Sequence, residues 1–152
     1  MSSDSLGYGS YAQRPRVEQS FSGSVVIHFG CTARDGAILN AVPARRVQVP
    51  SGADPKETAL RALLRGPTAQ EVRAGYISNF GATSANVGFT LRVASGLATV
   101  DFDPAIANVK YIFLGQMDVA QIIVTLGQFS DVRRVAILID GEAWCRVLQA
   151  GC

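Results

Sequence analysis

The chain has 152 residues, of which 48% are hydrophobic and 17% are charged, and its formal net charge is +2. This length supports one domain with a sizeable core, while so small a net charge argues against nucleic acid or a membrane surface as the binding partner. No apolar run approaches the ~20 residues needed to span a membrane, and the N-terminus shows no signal-peptide pattern.

The N-terminal segment differs in composition from the rest of the chain. Residues 1–24 are rich in Ser and Gly and lack apolar periodicity. Such a segment buries too little surface to offset the entropy of ordering, so we predict a flexible leader or tether there. We place a single folded domain over residues 25–149 and a short C-terminal tail over residues 150–152.

The domain is predicted to begin with strands. The β-branched run VVIHF at Val25–Phe29 is typical of a buried strand. A turn signal, RDG, follows at Arg34–Gly36, and the pieces ILNAV and RRVQV then look like a strand interrupted by Pro43. Because proline has no N–H to donate, Pro43 predicts a bulge or a sheet edge.

A helix is predicted after GAD. Asp54 is a suitable N-cap, Pro55 suits the first helical position, and Glu57 is spaced to close a capping box. The apolar residues have helical spacing and form one stripe, made of Ala59, Leu60, Leu63 and Leu64.

The segment LLRGPT is predicted to be a corner between two helices. Gly66 is placed for a left-handed conformation after the first helix, and Pro67 prevents its continuation. Thr68 then caps a second short helix, with Glu71 at its third position. Since loops often carry function, Arg65, Gly66, Pro67 and Thr68 are also the candidate binding residues.

The second half of the chain predicts a hairpin, a helix and a central strand. Apolar residues alternate on both sides of Ser95-Gly96, which is typical of a hairpin. The segment MDVAQIIVTLGQF has helical spacing, and Val135–Ile139 suits a strand buried on both faces. Asp140-Gly141 is a turn signal, after which AWCRVL is predicted to return as an antiparallel strand. The fold class is therefore α+β, with a mixed or antiparallel sheet of about five strands and two main helices packed on one face.

The polar residues do not form a catalytic constellation in the sequence. His28 is the only histidine and lies within an apolar strand, where a packed imidazole is expected. Asp101 and Asp103 share one strand face, and two carboxylates so spaced suit either a cation or a solvated surface. The three cysteines lack zinc-ligand spacing, and no nucleotide motif occurs, so we predict no metal and no cofactor.

Two arginine pairs are the other candidates for binding. If Arg45-Arg46 and Arg133-Arg134 lie on strands, adjacent side chains point to opposite faces, so neither pair makes a basic patch alone. The default interpretation is that these arginines keep the surface soluble. The alternative is that they bind an anionic glycan or an acidic partner.

Four segments in this order resemble the GerMN domain, a module of sporulation and spore-germination proteins and of bacterial envelope lipoproteins. They are Leu63–Thr68, Thr99-Val100-Asp101, Gln128-Phe129 and Ile139-Asp140-Gly141, and the resemblance covers about residues 25–142. It implies a small, non-enzymatic α+β module displayed outside the cytoplasmic membrane.

The resemblance leads to an expected function. We expect an extracytoplasmic module, secreted or anchored through a segment that is not part of this sequence, which acts through contacts with an envelope protein. The alternative is a binding module for peptidoglycan or another cell-wall glycan, using the corner at Arg65–Thr68. A hydrolase is a third hypothesis. The sequence leaves the identity of the partner and the oligomeric state open.

An exported domain with an odd number of cysteines suggests one disulfide and one spare thiol. If the first strand lies antiparallel beside the strand before Asp140, its end falls at the sheet edge that Cys152 reaches. We therefore favour a Cys31–Cys152 bridge with Cys145 free. Cys145–Cys152 is the alternative, and three reduced thiols would be expected in a cytosolic protein.

Overall fold

Strands and helices are interspersed along the chain, and the computed structural model describes residues 23–108 and 116–147. The strands are β1 Ser24–Thr32, β2 Ile38–Gln48, β3 Tyr76–Ile77, β4 Phe89–Ala94, β5 Leu97–Phe102, β6 Arg134–Ile139 and β7 Glu142–Ala143. The helices are α1 Pro55–Arg65, α2 Ala69–Arg73, α3 Gln116–Leu126 and α4 Trp144–Val147, with a 3-10 helix at Pro104–Asn108. Most of the predicted leader and the whole C-terminal tail lie outside the described residues.

The strands form two sheets around a shared core, and the predicted α+β class is confirmed. The first sheet has the order β2-β1-β3 and the second has the order β4-β5-β6-β7. The single sheet of about five strands that the pattern suggested is therefore divided in two. The second sheet is mixed, because β5 and β6 are parallel whereas the other neighbours are antiparallel.

The first sheet is strongly irregular along β2. The pairing of β1 with β2 shifts register between Ile27 and His28, and again between Phe29 and Cys31. Pro43 lies opposite His28, next to the first shift and on the outer strand. Both parts of the Pro43 prediction, a bulge and a sheet edge, are therefore confirmed, since a proline is tolerated where no ladder bond is required.

The second sheet is regular and begins with a tight hairpin. Ser95 and Gly96 have φ values of 52° and 82°, as expected for the two-residue turn that matches strand twist. The side chains of β5 alternate, with Ala98, Val100 and Phe102 buried on one face. The predicted hairpin is confirmed.

The C-terminal part corrects two predictions. Only alternate residues of β6 are fully buried, so this strand is not buried equally on both faces. Asp140 and Gly141 form the predicted turn, with φ values of 53° and 83°, and Ile139 pairs with Glu142. The predicted return strand is nevertheless wrong after Ala143, where the chain becomes the short helix α4. Helical backbone bonds there replace the ladder that a longer strand would have made.

The core lies between the helices and both sheets. Helices α1 and α3 pack on β1 and on each other. The Asp54 side chain caps α1 by accepting from the Lys56 N–H at 3.0 Å, so the predicted N-cap is confirmed. The largest fully buried side chains are Ile27, Phe29, Leu60, Leu63, Leu64, Phe102, Ile106, Ile122, Ile123, Leu126 and Phe129.

A long loop connects β3 to β4 and is fastened to α1. The Arg61 guanidinium donates to the carbonyls of Ala85 and Val87 at 3.0 and 2.7 Å and lies 4.5 Å from the centre of the Phe89 ring. Burial and then the neighbouring Arg65 lower the pKa of Arg61, and Glu57 partly opposes them. These contacts join α1 to the start of the second sheet.

Candidate functional site

The corner between α1 and α2 is confirmed as a structural element. Thr68 accepts from the Glu71 N–H at 3.1 Å while the Glu71 carboxylate accepts from the Thr68 N–H at 2.9 Å, which is the predicted capping box. Gly66 has the predicted positive φ of 80°, but its ψ of 178° differs from the left-handed helical value. That combination is essentially restricted to glycine.

Gly66 is buried because another loop crosses it. A Cβ at Gly66 would lie 2.1 Å from the carbonyl oxygen of Phe80 and 2.8 Å from the Cα of Gly81. Ser84 fixes this crossing, since its hydroxyl donates to the Leu64 carbonyl at 2.7 Å and accepts from the Gly81 N–H at 2.9 Å. Of the candidate binding residues, only Arg65 and Thr68 are exposed, and Pro67 is half-buried.

The adjacent arginines of β2 serve different partners. Arg45 forms an ion pair with Glu71 and lies 5.7 Å from the centre of the Phe29 ring. Arg46 is exposed and donates to the Ser24 hydroxyl at 3.1 Å. The two side chains therefore do not form a joint basic patch, as alternation on a strand predicts.

His28 is packed in the first sheet. Its backbone N–H donates to the Thr125 hydroxyl at 3.3 Å, whereas its side-chain Nδ1 is buried and has no hydrogen-bond partner in the described structure. Burial lowers the pKa of His28 from 6.5 to about 4. The imidazole is therefore neutral at ordinary pH, and within residues 23–108 and 116–147 no carboxylate or hydroxyl is hydrogen-bonded to its buried Nδ1.

A row of buried polar side chains on α3 was missed by the sequence analysis. The Asp118 carboxylate accepts from the Asn79 amide at 3.0 Å, and Gln121 accepts from the Ser78 hydroxyl at 2.8 Å. Asp118, Gln121 and Thr125 are all 0% exposed. Their helical spacing places these three side chains on one face of α3, but the neighbouring apolar face dominates the sequence pattern.

The row continues past the end of α3 at Gln128. Its side-chain amide accepts from the Val26 N–H at 2.9 Å and donates to the Val26 carbonyl at 2.8 Å. The amide thus binds the backbone of β1 as a neighbouring strand would. Gln128 was one of the residues that carried the family resemblance, and its role here is structural.

Of the two aspartates at the end of β5, Asp101 has a structural side chain. Asp101 accepts from the Gly141 N–H at 2.9 Å and so fastens the turn between β6 and β7. Asp103 follows β5, and its carbonyl accepts from the Ile106 N–H at 3.0 Å at the start of the 3-10 helix. Residues 23–108 and 116–147 contain no group of three or more His, Cys, Asp or Glu side chains that could hold a metal ion.

The structure contradicts the favoured disulfide. Cys31 is a free thiol on β1, and Cys145, expected to be free, is disulfide-bonded. Because β7 ends at Ala143 and α4 follows, Cys145 does not lie in a long return strand as the pairing assumed. Cys152 lies outside the described residues, so the alternative Cys145–Cys152 bridge stays a prediction.

The most exposed large apolar side chains in the described part of the chain are Ile38, Leu39 and Val72, at 52%, 47% and 54%. Ile38 and Leu39 begin β2, and we call this pair the hairpin tip. Neighbouring strand residues point to opposite faces, so exposure of both means that the tip extends beyond the covered part of the sheet. Backbone hydrogen bonds close the turn before it, since the Ala33 N–H donates to the Ala37 carbonyl at 2.8 Å and the Gly36 N–H donates to the Ala33 carbonyl at 2.9 Å.

The fold is that of GerMN domains. The first GerMN domain of the sporulation protein GerM from Bacillus subtilis matches with a TM-score of 0.56 and 22% identity, over 78% of this chain and 85% of that chain. The tandem GerMN domains of the same protein match with a TM-score of 0.56 and 22% identity, over 79% of this chain and 40% of the longer one. At this identity the likeness concerns the fold alone.

A family model gives the second comparison. The family described as Germane: Sporulation and spore germination matches residues 32–144. The chain therefore belongs to the Germane family, as the resemblance predicted. No curated protein matched the chain. None of the helices in the described ranges combines the length and apolar character needed to cross a membrane.

Proposed function

We propose that this protein is a non-enzymatic, extracytoplasmic module that acts through protein–protein contacts in a cell-envelope, sporulation or germination assembly. Membership of the Germane family supports the link to sporulation and germination proteins. The exposed hairpin tip is the single structural observation that carries the contact role. Its apolar side chains begin β2 directly after a hydrogen-bonded turn, and neighbouring exposed apolar residues suit a protein partner.

The contacts made by the candidate catalytic side chains support a binding module over an enzyme. His28 is neutral and packed, Asp101 holds a turn, and Asp118 is hydrogen-bonded to Asn79. A catalytic acid or base needs to reach a substrate atom directly or through one water. These groups are instead committed to the fold.

The hairpin tip can be tested by a matched pair of variants. We expect Ile38→Ser/Leu39→Ser to weaken capture of an envelope protein from an extract of the source bacterium, because both apolar contacts are lost. Val72→Ser is the control, since Val72 has a similar exposed fraction on α2. Equal capture by both variants would show that the hairpin tip is not the contact surface.

A cell-wall glycan is the second candidate ligand, and the corner is its surface. Arg65 and Thr68 are exposed at adjoining ends of α1 and α2, so both can donate hydrogen bonds to a glycan. Co-sedimentation with purified peptidoglycan measures this directly. Binding that is lost in Arg65→Ala and retained in Ile38→Ser/Leu39→Ser would favour the glycan over the protein partner.

The non-enzymatic assignment has its own test. The protein is expected to show no turnover with esters, peptides or muropeptides. Should turnover be found, His28→Ala decides its origin: loss of that activity in a variant that remains folded would overturn the assignment.

A further inference from the structure

Most outer strands of the two sheets have features that discourage pairing with a strand of another molecule. β2 carries two register shifts and Pro43, which are features that discourage pairing with another strand. β3 and β7 are each only two residues long. β4 is the exception, since its six residues pair with β5 without any shift. No strand in the described ranges pairs with its other side.

The hairpin geometry determines which backbone groups of β4 face outward. In a two-residue hairpin, the residues next to the turn, Ala94 and Leu97, form a hydrogen-bonded pair, and such pairs then alternate along the strands. The Asp103 N–H donates to the Gly88 carbonyl at 2.9 Å, which fits the same alternation. The N–H and C=O groups of Phe89, Leu91 and Val93 consequently point away from β5.

These outward groups are self-complementary. If a second β4 lies antiparallel about a twofold axis at Leu91, Leu91 pairs with its copy and Phe89 pairs with Val93 of the copy. Each pair exchanges two hydrogen bonds, so every outward N–H and C=O of the three residues is satisfied at once. No shift by one residue achieves this, because it would place inward groups opposite outward ones.

The side chains suit the same register. Phe89, Leu91 and Val93 are half-buried on the core-facing side of β4, so the pairing would join two partly covered apolar rows. On the exposed side, Thr90 would face Arg92 of the second copy. No like charges lie directly opposite each other, which is a requirement for a stable cross-strand pair.

We propose that β4 is a self-association edge, through which two copies of this protein pair antiparallel about Leu91 into one continuous sheet. The occupant is a second copy because β4 matches itself in hydrogen bonds, apolar pairs and charge. One strand pair buries less than a standard interface, so the dimer is weak and depends on concentration. The contact is independent of the hairpin tip, which belongs to the other sheet.

The test is sedimentation velocity of the full chain over a range of concentrations, with charge changes at Thr90. Thr90→Arg places two arginines opposite two Arg92 side chains, so we expect dimerisation to weaken by at least about five-fold. The fold should tolerate the change, since Thr90 is exposed and Asp101 lies opposite it on β5. Thr90→Arg/Arg92→Glu forms two opposite-charge pairs and should restore the dimer.

The control is Gln48→Arg, which adds the same charge at an exposed position of β2, an edge strand of the other sheet. It should leave dimerisation unchanged. The proposal is overturned if the wild-type protein stays monomeric at its highest soluble concentration. It is equally overturned if the protein dimerises but Thr90→Arg has no more effect than Gln48→Arg, or if the charge swap fails to restore association in a folded variant.

Discussion

Gly66 provides the sharpest test of how the corner is built. Replacing it with alanine has two separate costs. The backbone at φ 80° and ψ 178° is essentially glycine-only, and holding another residue there costs about 1–3 kcal/mol. The added Cβ would also lie 2.1 Å from the Phe80 carbonyl oxygen, so the crossing loop has to move. Since Ser84 fastens that loop to Leu64, movement also weakens a buried hydrogen bond of about 1 kcal/mol.

The expected loss for Gly66→Ala is therefore about 3 kcal/mol in the free energy of unfolding, measured by urea denaturation. Gly52→Ala is the matched control, because Gly52 has a φ of 83° and nothing lies within 4 Å of an added Cβ. It should lose only the cost of holding an L-residue at positive φ, about 1–2 kcal/mol. If Gly66→Ala destabilises no more than Gly52→Ala, the close approach of the Phe80 backbone has no energetic role and the reasoning fails.

Three further predictions concern stability and thiol chemistry. The pKa of His28 is about 4 in the folded protein against 6.5 for an unperturbed histidine, so its contribution to the free energy of unfolding is complete above pH 6.5 and falls by up to about 3 kcal/mol towards pH 4. His28→Gln should reduce that decline, as measured by denaturation across this pH range. Arg61→Lys should lower the free energy of unfolding by about 1–2 kcal/mol and speed hydrogen exchange in the β3–β4 loop. Replacement of the exposed Arg65 by alanine should change it by no more than about 0.5 kcal/mol, and equal effects of the two changes would contradict the anchoring role of Arg61. Peptide mapping without reductant should find Cys31 alkylated and Cys145 protected, and the reverse result would refute the assignment.

Local signals predicted most of the secondary structure. Caps, turns and alternation act within a few residues, so the capping box at Thr68, the turn at Ser95-Gly96 and the bulge near Pro43 were all readable from the sequence. The division into two sheets was not readable, because it depends on which strands pair over long separations. The predicted return strand was too long for a related reason. The turn signal at Asp140 predicts a reversal of the chain but not how many residues pair after it.

The candidate site was less predictable than the fold. Gly66 was singled out for its conformation, yet its burial depends on Phe80, a residue in a loop with no pattern of its own. The buried row on α3 was hidden because Asp118 and Gln121 find partners in the segment at Ser78 and Asn79. The exposure of Ile38 and Leu39 could not be foreseen, since apolar residues in a strand ordinarily predict burial.

The bond between Gln128 and Val26 has a consequence for how the protein folds as it is made. The two residues are 102 positions apart, and the Gln128 side chain supplies the groups that complete one edge of β1 at Val26. At synthesis rates of about 5–20 residues per second, that edge stays open for roughly 5–20 seconds after it emerges. During this interval β1 already has its partner β2, but Val26 has an unpaired N–H and carbonyl available to any other strand. A Gln128 substitution would therefore leave this edge of β1 open for longer and extend the time in which the nascent chain can aggregate through it.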